Sequence, residues 1–171
     1  MQHLKNILFP LLIILVTQGL HYRWDTTQDK RYTLNESTEP LLSNLDRPLK
    51  IDVFLTGKLP ANYLRLQREI TTLIKSMEQH TDQLIVNYIN PFESGDTIDA
   101  LIGEMTQFGL PPEYILANQT QALEQTVVFP WAMVNDGNKK VRISILKKVI
   151  GDDQQQKINR SIAKLELHLM E

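Results

Sequence analysis

The chain has 171 residues, with 18 basic and 20 acidic side chains, a formal net charge of -2 and no cysteine. Interspersed charges leave no basic footprint for nucleic acid, and the missing thiols exclude disulfides, thiolate metal sites, cysteine nucleophiles and dithiol redox chemistry. The length suits one domain with a sizeable core beside one short hydrophobic element.

Residues 4–20 (LKNILFPLLIILVTQGL) hold no acidic residue, and Lys5 is their only charge. Ile7, Leu8, Phe9, Leu11, Leu12, Ile13, Ile14, Leu15 and Val16, interrupted only by Pro10, form an apolar run. A membrane span takes about 20 apolar residues and a signal-peptide core about 7 to 15, so length leaves both readings open. The flank favours an uncleaved anchor. Thr17-Gln18-Gly19 is a poor small-x-small cleavage site, Tyr22 and Trp24 suit the membrane interface, and Arg23 can reach the head groups. A short tail before a long following domain then places that domain outside the cytoplasm. Trp24, Arg31 and Tyr32, beside the anchor, are candidates for contact with a neighbouring membrane subunit or for residence among the head groups.

Further on, Asn35 to Pro40 carries helix-start residues, and Pro40 in the first turn shifts the cap to Ser37 or Thr38. A short helix through Leu41, Leu42 and Leu45 should end at Asp46-Arg47-Pro48. Leu49 to Leu55 alternates as a strand, apart from Phe54. Tyr63, Leu66, Ile70, Leu73, Ile74 and Met77 recur at helical spacing within 61–79. Leu84 to Ile89 is an almost continuous apolar run, which predicts a central strand buried on both faces. Asp96 or Thr97 caps a third helix whose Ile98, Leu101, Ile102, Met105 and Phe108 share a face, and Gly109 ends it. Glu113 to Ala117 suits a brief strand, and Asn118 to Gln125 a polar loop. Thr126 to Val134 and Lys140 to Leu146 form two arms about Asn135-Asp136-Gly137-Asn138, with Pro130 at an edge or bulge. After Gly151-Asp152-Asp153 a last helix carries Ile158, Ile162, Leu165 and Leu169. It reaches Glu171 with no stop signal, so the chain is expected to be part of a longer protein.

This order predicts an α/β fold, a thioredoxin-like mixed sheet flanked by helices and preceded by one N-terminal transmembrane helix. The expected organisation is an anchor over 1–24, a juxtamembrane linker and short helix over 25–48, and an extracytoplasmic α/β domain over 49–171. In that fold the active dithiol follows the first strand, which is here Thr56-Gly57-Lys58-Leu59-Pro60, without a thiol.

No motif supplies chemistry. His3, His21, His80 and His168 have no partner at ligand spacing, and Asp152-Asp153 and Asp96 with Asp99 read as a turn and a helix start. There is no nucleophile elbow, phosphate loop or dinucleotide fingerprint. The expectation is no catalytic, cofactor-binding or metal-binding residues. Lys139, Lys140, Arg142, Lys147 and Lys148 form a modest basic cluster, best read as a lysine-guarded hairpin edge.

A family resemblance rests on short motifs in order. They are Arg23-Trp24-Asp25 with Lys30-Arg31-Tyr32-Thr33-Leu34, then Leu55-Thr56-Gly57-Lys58-Leu59-Pro60 with Leu66-Gln67, Ile89-Asn90-Pro91, Phe129-Pro130, and Asn159-Arg160-Ser161-Ile162 with Leu165-Glu166. In that order, after an N-terminal span, they resemble the N-terminal portion of the auxiliary, substrate-binding-like subunits of gliding-motility-associated ABC transporters, the GldG family. Thr26, Asn35, Trp131 and Leu167 depart from the family pattern. The resemblance implies a bacterial inner-membrane protein whose domain faces the periplasm, assembled with an ABC permease subunit and a cytoplasmic ATPase, and itself non-catalytic. The alternative is a free-standing exported ligand- or protein-binding domain, released from its signal sequence.

Overall fold

A computed structural model describes residues 34–35, 37–95, 97–119 and 122–170, and all of these belong to the unit Arg31–Glu171. The expected span, Ile7 to Val16, and the candidate contact residues Trp24, Arg31 and Tyr32 lie outside the described residues. No helix among the described residues is long and apolar enough to cross a membrane.

Helix α1 (Thr38–Ser43) starts at Ser37 with Pro40 in its first turn, where the missing amide is no loss. Strand β1 (Leu49–Val53) follows. Its exit at Phe54, Leu55 and Thr56 is buried like the strand itself. Helix α2 (Ala61–Glu78) seals that face, because all six apolar positions expected from the spacing are buried. Each such side chain contributes about 1.5–3 kcal/mol on leaving water.

Strand β2 (Leu84–Tyr88) runs parallel to β1, with Ile51 beside Val86. It is an edge strand and not the central one its apolar run predicts. Ile85 and Tyr88 are 49% and 45% exposed. Continuous apolarity does not reveal how many neighbours a strand acquires.

A 3-10 turn (Pro91–Ser94) leads to α3 (Ile98–Gln107), where the Thr97 hydroxyl accepts from the Ala100 amide at 3.3 Å. Leu101 and Met105 are buried, whereas Ile98 and Phe108, expected on the same face, are 58% and 61% exposed. The helix therefore packs by its middle.

Strands β3 (Glu113–Gln119) and β4 (Ala122–Val128) pair antiparallel as a separate two-stranded sheet. The polar loop expected over 118–125 is thus mostly strand, its backbone paired across β3 and β4. The single arm expected over 126–134 is split at Phe129-Pro130, because Pro130 has no amide to continue a ladder. Strand β5 (Trp131–Asn135) restarts there and pairs antiparallel with β1 and with β6 (Lys140–Ser144) around the predicted turn. In that turn Asp136 accepts from the amides of Asn138 and Lys139, which holds its carboxyl below the usual range.

The main sheet has the order β2-β1-β5-β6, with β5 antiparallel to its neighbours. Helix α4 (Gln154–Ala163) begins with a capping box, Asp153 and Gln156 each accepting from the other's amide. The expected last helix breaks at Lys164, and α5 (Leu165–Met170) continues it. The main core joins α1, α2, α4 and α5 to one face of the sheet. Phe54, Leu101, Met105, Leu110 and Phe129 form a second, smaller cluster, packed with Trp131 and Met133.

Candidate functional site

Strands β1, β2 and β6 point their C-terminal ends the same way, and β5 starts at that end. The short motifs meet there. From the exit of β1, the Thr56 hydroxyl donates to the Ile89 carbonyl at 2.9 Å, and the Ile89 amide donates back to Val53 at 2.9 Å. Gln67, one and a half turns into α2, donates through Nε2 to the Leu55 carbonyl at 3.1 Å. Gly57 adopts φ +85°, and the Asn90 side chain occupies the place a Cβ would take. Asn90 in turn accepts from the Phe92 amide and donates to Glu93.

The aromatic side chains close the second layer. Phe92 tilts against Phe129 with ring centroids 5.8 Å apart. The Phe54 amide donates to the Trp131 carbonyl at 2.9 Å, and Trp131 Nε1 donates to the Pro111 carbonyl at 2.7 Å. The Pro130 carbonyl accepts from the Ile145 amide. Phe129-Pro130 is thereby the joint between the two sheets.

A polar cluster borders the same end. Glu113, at the start of β3, pairs with Lys148 and, at 3.7 Å, with Lys157 of α4. The neighbouring Tyr63 hydroxyl is pushed up to about 12, chiefly by burial and further by the charge of Glu113, against a hydrogen bond from Gln154. Ser161 fastens α4 below: its hydroxyl accepts from the Lys147 amide at 2.8 Å and donates to the Lys157 carbonyl at 2.6 Å. Arg160 holds Asp152 with two bonds of 2.9 and 3.0 Å.

The structure therefore brings together the motifs around Thr56, Gln67, Asn90 and Phe129, which lie far apart in sequence, while Ser161 bonds to Lys147 and Lys157. Most of their polar atoms are committed to the backbone, so the arrangement builds a rigid surface. Gly57, Lys58, Ile89 and Phe92 are among its exposed members. His80 lies elsewhere, 3.9 Å from Glu39. Among the described residues no three His, Asp or Glu side chains gather as metal ligands. The Tyr63–Glu113 cluster carries no sequence signal, since its members come from α2, β3, the loop after β6, and α4.

A family model described as "Domain of unknown function (DUF7088)" matches residues 28–135. No curated protein and no solved structure matches the chain.

Proposed function

We propose that the chain, which belongs to the DUF7088 family, is a non-catalytic, membrane-anchored accessory subunit of an ABC-type transporter resembling the gliding-motility system. The apolar run Ile7 to Val16 is the anchor, in a bacterial inner membrane, and the α/β domain stands in the periplasm. The subunit acts through protein–protein contact with a permease, and ATP chemistry belongs to a cytoplasmic partner.

The observation that supports this reading is the convergence of Leu55–Pro60, Gln67, Asn90-Pro91 and Phe129-Pro130 at one end of the sheet. They are among the residues on which the resemblance to the GldG family rests. A surface held rigid by buried backbone contacts is suited to docking, because little conformational entropy is lost on binding. We also assign the domain to the thioredoxin-like class, supported by the order β2-β1-β5-β6 with β5 alone antiparallel. The loop that carries the dithiol in redox members of that class is here Thr56-Gly57-Lys58-Leu59-Pro60.

The test is to purify the native protein from membranes in mild detergent and to identify what accompanies it by mass spectrometry. Stoichiometric recovery of a polytopic permease and an ATPase is the expected result. Recovery of the intact protein alone would overturn the subunit reading. A soluble form lacking residues 1–20 would replace it with a released binding domain.

A further inference from the structure

Among the described residues, strand β2 is an open edge without the usual protection. The Leu49 amide donates to Gln83 O at 2.7 Å and the Ile89 amide to Val53 O at 2.9 Å, so the odd-numbered residues around β2 aim their backbone at β1. The alternation of a strand then turns the amides and carbonyls of Leu84, Val86 and Tyr88 outward. They pair with no other strand among the described residues. Ile85 and Tyr88 are exposed, as is Ile89, while the run Leu84 to Tyr88 has no lysine, proline or glycine to discourage pairing.

The two edges of the sheet differ in charge. Around β2 stand Glu78 at the end of α2, Asp82 in the approach loop and Glu93 just beyond the strand, all exposed. Lys75 lies on the same stripe of α2 as Glu78. The opposite edge, β6, carries Lys139 and Lys140, with Lys147 beyond it, all exposed, and Arg142, whose guanidinium also donates to the Phe108 carbonyl at 3.1 Å. Asp136 beside them is held by backbone amides in the turn, and Lys148 is taken by Glu113. One edge of the sheet is thus acidic and apolar and the other basic.

We propose that the open edge of β2 receives β6 of a second copy of this chain, joining molecules head to tail through their sheets. Both strands run parallel to β1, so a copy displaced sideways along the sheet presents β6 in the same direction as β2. The outward backbone groups of β2 supply the ladder, and its acidic flanks meet the basic edge of the neighbour. Because the two surfaces are different, each copy keeps one free edge, and the contact propagates rather than closing as a symmetric pair.

The chain has no cysteine, so single thiols report without interference. Tyr88→Cys and Val141→Cys place thiols on the same face of the sheet, one at each edge, and change no formal charge. The two full-length variants, one bearing a size tag, are purified in mild detergent, mixed, and treated with a short bis-maleimide. Adducts between the two variants are expected. They should fall severalfold as salt rises from about 0.1 M to 1 M, where the screening length shrinks from about 10 Å to about 3 Å. Asp82→Lys should lower them as well. Light scattering on the unsubstituted chain provides a second measurement, independent of how the thiol variants fold, and should show species above the monomer mass. Adducts of Tyr88→Cys with itself alone would indicate a symmetric β2 pair and overturn the proposal. A monomeric mass at every concentration would overturn it too.

Discussion

The side chain of Asn90 fills the space beside Gly57 so closely that a Cβ on residue 57 would lie 2.8 Å from Asn90 Oδ1. Two loops that leave adjacent parallel strands are locked together at this point. The lock depends on a backbone with φ +85°, which side chains rarely adopt.

Gly57→Ala should therefore destabilise the domain by about 1–3 kcal/mol, from left-handed strain and the clash with Asn90. Combining it with Asn90→Ala should recover only the clash. Denaturant titration of the single and double variants in detergent separates the two contributions. A double variant as stable as the parent would remove backbone strain from the account.

Thr56 and Ile89 offer a cleaner test of the same junction. Thr56→Val keeps the shape and removes the hydroxyl that donates to Ile89 O, and should cost about 0.5–1.5 kcal/mol. Thr56→Ser should retain most of that contribution. A Thr56→Val as stable as the parent beside a destabilised Thr56→Ser would indicate methyl packing instead of the hydrogen bond.

Tyr63 links stability to alkaline pH. Its folded-state hydroxyl is pushed up to about 12 from 10.0, so above pH 10 the unfolded chain releases a proton that the folded chain retains. This contribution to stability is whole below pH 10 and is lost as pH rises toward 12. The slope of stability against pH over that window should be shallower in Tyr63→Phe than in the parent. Identical slopes would show that Tyr63 ionises as freely folded as unfolded.

Glu113→Gln leaves Lys157 and Lys148 without their carboxylate. Glu113 is mostly buried and Lys148 is exposed, which places the pair between surface and interior cases, and a loss of about 1–2 kcal/mol is expected. The same change removes a negative charge beside Tyr63, so the Tyr63 hydroxyl should titrate lower. Thermal unfolding and ultraviolet titration of tyrosinate measure the two effects on one sample.

Leu12→Arg addresses the anchor. An arginine at the centre of a span costs about 2.5–3.5 kcal/mol on insertion scales, so the variant should be released from membranes or mislocalised. Unchanged retention after carbonate extraction would remove the anchor from the proposed function. Tyr32→Ala, by contrast, should weaken recovery of a partner more than it weakens folding.

Much of the local structure was determined by the chain's own order of residues. The six apolar positions of α2, the cap at Thr97, the turn at Asn135–Asn138 and the stop at Gly109 each depend on neighbours within a few positions, and each appears where the spacing puts it. The mixed α/β arrangement followed from the alternation of those elements. Only the tertiary structure decided that β2 is an edge, because Leu84 to Tyr88 would read the same with one neighbour or two. It also decided that residues 118–125 are mainly strand, since β3 and β4 satisfy one another's backbone without an apolar pattern, and that α3 buries Leu101 and Met105 but not Ile98 or Phe108. The motifs at Thr56, Asn90 and Phe129 were visible in the sequence as separate words. That they form one surface, bordered by Tyr63 and Glu113, required the chain to cross the sheet several times, because hydrogen bonds and charges act through space and the spacing along the chain records only local distances.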